Sequence, residues 1–290
     1  MIPRQTARCE DGSRDCGSFY LDFVGQFGPE QVHVHWSESR RHSNEQVDRQ
    51  IEQTWQEQLA LARTRGQLLY DGPLCRLVDC GVADHALNLT LGQVTYREFV
   101  GTNLTHPALR YAHGPEVLAD PAGVSAAVVT GDHYVLLAKR SEKVYANPGR
   151  WHPIGGIMEP SDEPGGVPSP FRTIRSEIEQ ELGLPGESIL HSLCLGVVRD
   201  KATVQPELIF DVHVGQHAEA IAASQACAQD AAECQALVSV RDHPGAVVTF
   251  LEKHYAELTP VALATLLLHG QRHWGTGWFT AARGYLQDVV

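Results

Sequence analysis

The sequence predicts an α+β protein of two domains, and three observations support this class. A chain of 290 residues is long enough for about two domains. Hydrophobic residues make up 43% and charged residues 20% of the chain, as in globular proteins that bury a core without disulfides or metal ions. The predicted elements form a small mixed group followed by strands with flanking helices, which is the α+β order.

The first domain, residues 1–118, is predicted to begin with two strands and a helix. Phe19–Val24 and Gln31–Trp36 alternate apolar and polar residues, and the glycines and proline between them predict a hairpin-like pair. Ser43 stands three residues before Gln46, which predicts a capping box at a helix start. An apolar stripe at helical spacing follows. Its members are Val47, Ile51, Trp55, Leu59 and Ala62.

The rest of the first domain is predicted to be two strands and a short helical, loop-rich segment. The strands are Leu74–Val78 and Ala86–Leu91, and the helical residues are Tyr96–Asn103 and Pro107–His113. A break at Asp120–Gly123 then marks the boundary of the second domain, residues 119–290.

The second domain is predicted to open with a hairpin and to contain one well-delimited helix. Gly131–His133 joins strands at Val124–Thr130 and Tyr134–Lys139. Pro170–Leu182 is predicted to be helical, because Ser169 suits the N-cap and Gly183 ends the pattern. Later predicted elements are strands at Ile189–Val198 and Leu208–Val214, a weak helix at Ala218–Ala236, and helices at Pro244–Tyr255 and Thr259–His273.

Charge and cysteine content exclude several classes of function. The net charge of −12 argues against nucleic acid as a partner, and an anionic substrate would need a bound cation. No apolar stretch has membrane-spanning length, and no secretory signal opens the chain, so we expect a soluble cytoplasmic protein. The seven cysteines form no C-x-x-C pair, and the fifteen histidines form no H-E-x-x-H pattern. No tight metal cluster of these residues is therefore predicted.

One face of the Pro170–Leu182 helix carries side chains that can bind a cation or take part in catalysis. Glu177 and Glu181 are one turn apart, so their carboxylates lie above one another, with Gln180 beside them. The opposite face is apolar and is expected to pack on the core. Its members are Phe171, Ile174, Ile178 and Leu182.

Stacked carboxylates repel one another, and a hard cation such as Mg²⁺ would reverse that repulsion. Glu159 can supply a third oxygen from the preceding loop, while Gly155 and Gly156 let the backbone approach a ligand closely. From these residues alone, a solvated acidic helix face is the simpler interpretation.

The full spacing resembles the Nudix box, G-x5-E-x7-R-E-U-x-E-E-x-G-U, where U is a bulky aliphatic residue. The matching residues are Gly156, Asp162, Glu177, Ile178, Glu181, Gly183 and Leu184. Three features depart from the family form. The spacer between the first acid and Ser176 has 13 residues, Ser176 replaces the box arginine, with Arg175 adjacent, and Gln180 replaces a glutamate.

Within the Nudix hydrolases the chain is similar to the UDP-glucose diphosphatase branch. The run Tyr96–Asn103, which lies outside the box, is the most specific match. The resemblance implies an α/β/α sandwich with a mixed sheet. It also implies hydrolysis of UDP-glucose and UDP-galactose to UMP and sugar 1-phosphate with Mg²⁺, or Mn²⁺, as cofactor.

The resemblance also implies roles for particular residues. Metal ligands are expected among Glu177, Glu181, Gln180 and Glu159, and Glu177, Glu181 or Glu207 is the expected general base. Glu207 is otherwise an exposed strand-end residue. Substrate contacts are expected from Arg140, Gly155, Gly156, Arg97 and Asn103.

Several alternatives stay open at this point. Arg140 can bind phosphate or form a surface ion pair. Arg97 and Asn103 can bind substrate or dock the two domains on one another, and we favour docking. The substrate can instead be ADP-ribose or another nucleoside diphosphate derivative. A nucleotide-sugar binding module with little turnover is the third possibility. The oligomeric state is not predicted.

Overall fold

The computed structural model describes residues 15–67, 69–161 and 166–289. Its strands are β1 (Phe19–Phe27), β2 (Val32–Trp36), β3 (Pro73–Ala83), β4 (Ala86–Thr95), β5 (Gly123–Val129), β6 (Tyr134–Arg140), β7 (Trp151–His152), β8 (Ile154–Ile157), β9 (Ile189–Asp200), β10 (Pro206–Val214) and β11 (Cys234–Arg241). Its helices are α1 (Glu45–Arg65), α2 (Tyr96–Phe99), α3 (Leu109–His113), α4 (Pro170–Leu182), α5 (Ala218–Gln225), α6 (Pro244–His254), α7 (Pro260–Trp274) and α8 (Thr276–Val289). A π-helical turn, Val100–Leu104, follows α2.

A mixed sheet forms the centre of the molecule. In the described part of the chain its strand order is β1-β9-β10-β5-β6-β11, with β8 paired to β5 and β7 paired to β6. Only β10 and β5 run parallel among these pairs. A smaller sheet of β2, β4 and β3 lies beside it.

Helices cover both faces of the large sheet. Ile174, Ile178 and Leu182 of α4 pack into one core cluster with alternate residues of β5 and β6. Helices α6, α7 and α8 pack on the other face against the intervening residues of the same strands. The predicted α/β/α sandwich with a mixed sheet is therefore confirmed.

The small sheet is joined to the large one through backbone and core contacts. The Cys75 N–H donates to the Met158 carbonyl at 2.8 Å, and the Leu77 N–H donates to the Asp120 carbonyl at 2.9 Å. Leu87, Leu89 and Leu91 of β4 belong to the same core cluster as α4. The division at residue 118 stays a prediction, but the two parts share a core.

The predicted hairpin of the first two strands is wrong. Strand β1 pairs antiparallel with β9 in the large sheet, whereas β2 pairs parallel with β4 in the small one. Alternation along a strand indicates which face is buried, but any neighbouring strand can satisfy its hydrogen bonds. The short 3-10 turn Pro29–Gln31 separates the two strands.

The N-cap of α1 is also corrected. Asn44 is the N-cap, and its side chain accepts from the N–H groups of Gln46 and Val47. Ser43 instead donates to Asp48 at 2.6 Å. The predicted apolar stripe does face inward, with Val47, Ile51, Trp55 and Ala62 buried.

The C-terminal part contains two elements that the sequence interpretation missed. The weak helix over residues 218–236 is shorter, ending at Gln225, and the strand β11 begins at Cys234. Helix α8 follows α7 after Gly275, whose φ of +88° ends α7. None of the helices in the described residues has the length and hydropathy needed to cross a membrane.

Candidate active site

A cavity of about 540 Å³ opens between the small sheet, β8, α4 and the loop before β11. Its wall is strongly acidic. The acidic residues that line it are Glu159, Glu177, Glu181, Asp200, Glu207, Asp230 and Glu233. Arg140 and Lys143 are the lining residues that carry positive charge.

Helix α4 presents two of these carboxylates because its ends and its buried face are fixed. The Ser169 hydroxyl accepts from the Arg172 N–H at 3.4 Å, and Pro170 occupies the first turn. Gly183 ends the helix with a φ of +66°, a conformation that favours glycine. With the apolar face packed on the sheet, Glu177 and Glu181 project into the cavity.

Gly155 and Gly156 of β8 make room for these carboxylates. A Cβ atom at Gly156 would lie 2.3 Å from Oε1 of Glu177, and one at Gly155 would lie 2.0 Å from the Val124 carbonyl oxygen. The Gly155 N–H also donates to Oε1 of Glu181 at 3.3 Å. The glycine pair therefore lets the β8 backbone lie close to the Glu177 side chain of α4 and to the Val124 backbone of β5.

Glu207 enters the cavity from the start of β10. Its carboxylate is 5% exposed, so the exposed strand-end alternative is excluded. The Ser125 hydroxyl donates to it at 2.6 Å. Gly123 lies opposite, where a Cβ atom would be 1.9 Å from a carboxylate oxygen.

The three glutamates hold their protons unusually tightly. Burial, together with the charges of Asp230, Glu233 and Glu159, raises the pKa of Glu177 to about 7. Burial and the charge of Glu177 raise the pKa of Glu181 to about 8. Burial raises the pKa of Glu207 to about 8, against the hydrogen bond from Ser125. Several buried acids with few nearby cations are the environment that a divalent ion would stabilise.

Arg140 and His152 supply the remaining polar groups near the glutamates. Arg140 ends β6, and its Nε donates to the Ala146 carbonyl at 3.0 Å. His152 lies 3.0 Å from the Thr259 hydroxyl. Burial and the charge of Arg140 lower the pKa of His152 to about 3, so this imidazole is neutral at working pH.

The structure places other predicted site residues away from the cavity. The Gln180 side-chain amide donates to the Ser176 hydroxyl at 3.0 Å. Arg97 forms ion pairs with Glu52 and Asp71. Asn103 is fully buried and donates to Asp120 at 2.9 Å and to the Thr203 carbonyl at 3.0 Å. Asp162 lies outside the described residues.

The cavity also contains residues that the sequence interpretation missed as site residues. Tyr96 and Tyr145 provide aromatic surface, and Asp230 and Glu233 approach from the loop before β11. The Asp230 N–H donates to the Gln180 carbonyl at 3.0 Å, which ties this loop to α4. Tyr96 is the first residue of the run Tyr96–Asn103 on which the resemblance rests. No local sequence pattern indicated that Asp230 and Glu233 would line the site.

Comparison with known proteins finds relatives in one superfamily, although no family model matches the chain. A uridine diphosphate glucose pyrophosphatase of Homo sapiens, NUDT22, is 32% identical over 161 residues, 47% of this chain and 53% of that protein. Nudix hydrolase 9 of Arabidopsis thaliana is 27% identical over 248 residues, 73% of this chain and 78% of that protein. Over these lengths the chain is similar to Nudix hydrolases. It spans about half the length of the curated UDP-glucose pyrophosphatases that it matches.

Among solved structures, a NUDIX hydrolase from Nitrosomonas europaea is 13% identical, with a TM-score of 0.35, over 52% of this chain and 89% of that one.

The residues that fill the Nudix box have identifiable structural tasks. Ile178 and Leu184 are buried in the core on the α4 side of the sheet. Ser176 and Gln180, the two residues that depart from the box, are hydrogen-bonded to one another along α4, with the Gln180 amide as donor. Arg175 is no substitute for the box arginine at the loop, because its guanidinium packs against Gly186.

Proposed function

We propose that the chain is a divalent-metal-dependent Nudix pyrophosphohydrolase that cleaves UDP-sugars to UMP and sugar 1-phosphate. The observation that carries the proposal is the convergence of buried Glu207 and partly buried Glu177 and Glu181 on one cavity beside a glycine pair. The names of the human and mouse relatives, both UDP-glucose pyrophosphatases, support the choice of UDP-sugars.

Glu177, Glu181 and Glu159 are the proposed ligands of Mg²⁺ or Mn²⁺. When bound, such an ion neutralises phosphate oxygens and makes a coordinated water more acidic. The glycine pair at residues 155 and 156 leaves room for the helix carboxylates close to the sheet, and the diphosphate is proposed to bind beside them.

The remaining residues have separate proposed tasks in the hydrolysis. Water attacks one phosphorus, the bridging P–O bond breaks, and a carboxylate among Glu177, Glu181 and Glu207 accepts the released proton. Arg140 binds a phosphate oxygen, and neutral His152 offers a hydrogen bond without adding charge. Tyr96 and Tyr145 provide surfaces for the base or sugar.

The test is turnover of a substrate panel by the purified chain. We expect Mg²⁺-dependent release of UMP from UDP-glucose and UDP-galactose. Glu177→Gln and Glu181→Gln are expected to lose at least about 100-fold, since even outer-shell partners of a metal contribute 10–100-fold. Glu179→Gln is the matched control, because Glu179 is an exposed residue of the same helix.

Other outcomes would overturn defined parts of the proposal. Preferential cleavage of ADP-ribose or coenzyme A would contradict the UDP-sugar assignment and leave the diphosphate chemistry intact. Tight binding of UDP-glucose without products, at high enzyme concentration, would indicate a binding module instead of an enzyme.

A further inference from the structure

A second polar cluster lies on the other side of the large sheet, between β10 and α7. Asp211 is fully buried at the centre of the cluster. His269 is also fully buried, and its Nδ1 lies 3.0 Å from Asp211 Oδ2. His273, one turn further along α7, places Nε2 2.9 Å from the same oxygen. Three ligand-type atoms of these residues lie within 4.8 Å of one another. The sequence spacing predicted no tight metal cluster, because these residues are far apart in the chain, and the fold brings them together.

This cluster is separate from the candidate active site. Asp211 follows Glu207 by four residues along β10, which corresponds to about 13 Å. His273 follows cavity-lining Thr259 by 14 residues along α7, which corresponds to about 21 Å. Nothing in the proposed hydrolysis uses it.

When its histidines are neutral, the cluster has more negative than positive charge. Asp211 and Asp242 are two carboxylates, and Arg272, 3.0 Å from Asp211 Oδ1, is a cation that faces Asp211. One more cation is needed for balance, and it can be either a proton on His269 or a metal ion.

A proton and a metal ion would use the contacts of the cluster in different ways. A proton on His269 lets its two nitrogens bond Asp211 and Asp242, both at 3.0 Å. Asp211 Oδ1 faces His213 Nε2 at 2.9 Å and the Arg272 guanidinium at 3.0 Å. A metal ion would instead draw the Asp211 carboxylate and the imidazole nitrogens of the cluster to one centre.

We propose that Asp211, His213, His269 and His273 bind a divalent transition-metal ion of the Zn²⁺ type. Three imidazoles and one carboxylate are the donor set of tetrahedral zinc, whereas Mg²⁺ prefers oxygen ligands. Donor atoms around such an ion lie about 3.3 Å apart, given bonds of about 2.0–2.1 Å. His269 Nδ1 and His273 Nε2 lie 3.0 and 2.9 Å from Asp211 Oδ2, and these three residues place ligand atoms within 4.8 Å of one another. His213 Nε2, 2.9 Å from Asp211 Oδ1, lies outside that group and must turn towards it to become the fourth ligand.

Asp242 completes the arrangement as a positioning residue. A metal-binding histidine commonly donates its other ring N–H to a carboxylate, which fixes the tautomer and ring orientation. The contact of His269 Nε2 with Asp242 Oδ1 provides that support. The ion would hold α7 to β10 and to the loop that follows β11.

The experiment uses the full chain, purified with a tag that contains no histidine and stripped with a chelator. Co²⁺ is then titrated with Mg²⁺ present in excess to occupy the carboxylate site. We expect one equivalent to bind with the visible absorption of four-coordinate Co²⁺, and one Zn²⁺ to displace it. Glu181→Gln is expected to keep this spectrum.

Two partly exposed ligands allow variants that leave the core intact. His213→Gln and His273→Gln, whose side chains are 32% and 26% exposed, are expected to weaken Co²⁺ binding at least about tenfold and to lose the absorption. His33→Gln, an exposed histidine on β2, is the matched control. Arg272→Gln is expected to tighten binding, because it removes a competing positive charge.

The proposal is overturned if the wild-type chain binds no more Co²⁺ than a His213→Gln/His273→Gln double variant. Equal binding by the wild type and the His273→Gln variant would also overturn it. In either case a proton on His269 is the cation of the cluster.

Discussion

At the scale of single residues, the raised pKa values of the cavity glutamates have a consequence for stability. The pKa of Glu181 rises from 4.5 to about 8 on folding. Between these pH values the folded chain keeps a proton that the unfolded chain releases, so stability falls as pH rises. We expect the melting temperature of the metal-free protein to decrease from pH 5 to pH 8.

The contribution of Glu181 is measured by substitution. Glu181→Gln carries no charge, so the metal-free variant is expected to lose stability less steeply with pH than the wild type, whereas Glu179→Gln keeps the wild-type slope. Thermal unfolding in the presence of a chelator measures all three. An unchanged slope in Glu181→Gln would contradict the pKa shift.

Metal binding and proton release are coupled at the same residues. Because the proposed ligands Glu177 and Glu181 have pKa values of about 7 and about 8, Mg²⁺ that binds at pH 7 must displace protons from the site. Calorimetric titration in two buffers of different ionisation enthalpy is expected to show net proton release. Release that stays the same in Glu181→Gln would refute the coupling.

The two glycines of β8 are expected to respond differently to alanine. Gly156→Ala pushes on Glu177, a movable side chain, and is expected to reduce turnover while the fold is retained. Gly155→Ala meets the Val124 backbone and is expected to lower stability by about 1–3 kcal/mol. Turnover and denaturant unfolding measure the two effects, and a stable, fully active Gly156→Ala variant would be the contrary result.

At the scale of elements, α4 depends on its caps to deliver both carboxylates. Ser169→Ala removes the acceptor for the Arg172 N–H and is expected to cost about 1 kcal/mol of unfolding free energy. Turnover at saturating Mg²⁺ is expected to change little, because the apolar face still orients the helix. Urea unfolding measures the loss, and an unchanged midpoint would show that the cap contributes nothing.

The elements also show what local sequence can predict. Ser169, Pro170 and Gly183 determine both ends of α4 through their own backbone chemistry, so its bounds were predictable. The partner of β1 was not, because β9 lies about 170 residues later in the chain and alternation does not identify a partner. The cluster around Asp211 was not predictable for the same reason, because Asp211 and His269 are 58 residues apart in the chain.

At the scale of the whole molecule, Asn103 links the π-helical turn to the large sheet. The box helix and its carboxylates were predictable, but the burial of Asn103 against Asp120 and Thr203 depends on how distant segments pack. Its contacts favour docking over substrate recognition, the alternative that the sequence left open.

Replacing Asn103 and Arg97 separates these two roles. Asn103→Ala leaves buried partners unpaired and is expected to cost about 1–3 kcal/mol of stability. Arg97→Ala removes partly exposed ion pairs and is expected to cost less than about 1 kcal/mol. Neither is expected to change KM for UDP-glucose at a temperature where the variant is folded. A large rise in KM for either would indicate substrate contact.

The most direct test of the whole account is a crystal structure of the chain with Mg²⁺ and a UDP-sugar or UMP. The account predicts density for the ion between Glu177, Glu181 and a phosphate oxygen, inside the cavity. Nucleotide bound elsewhere, with both carboxylates free of metal, would contradict it.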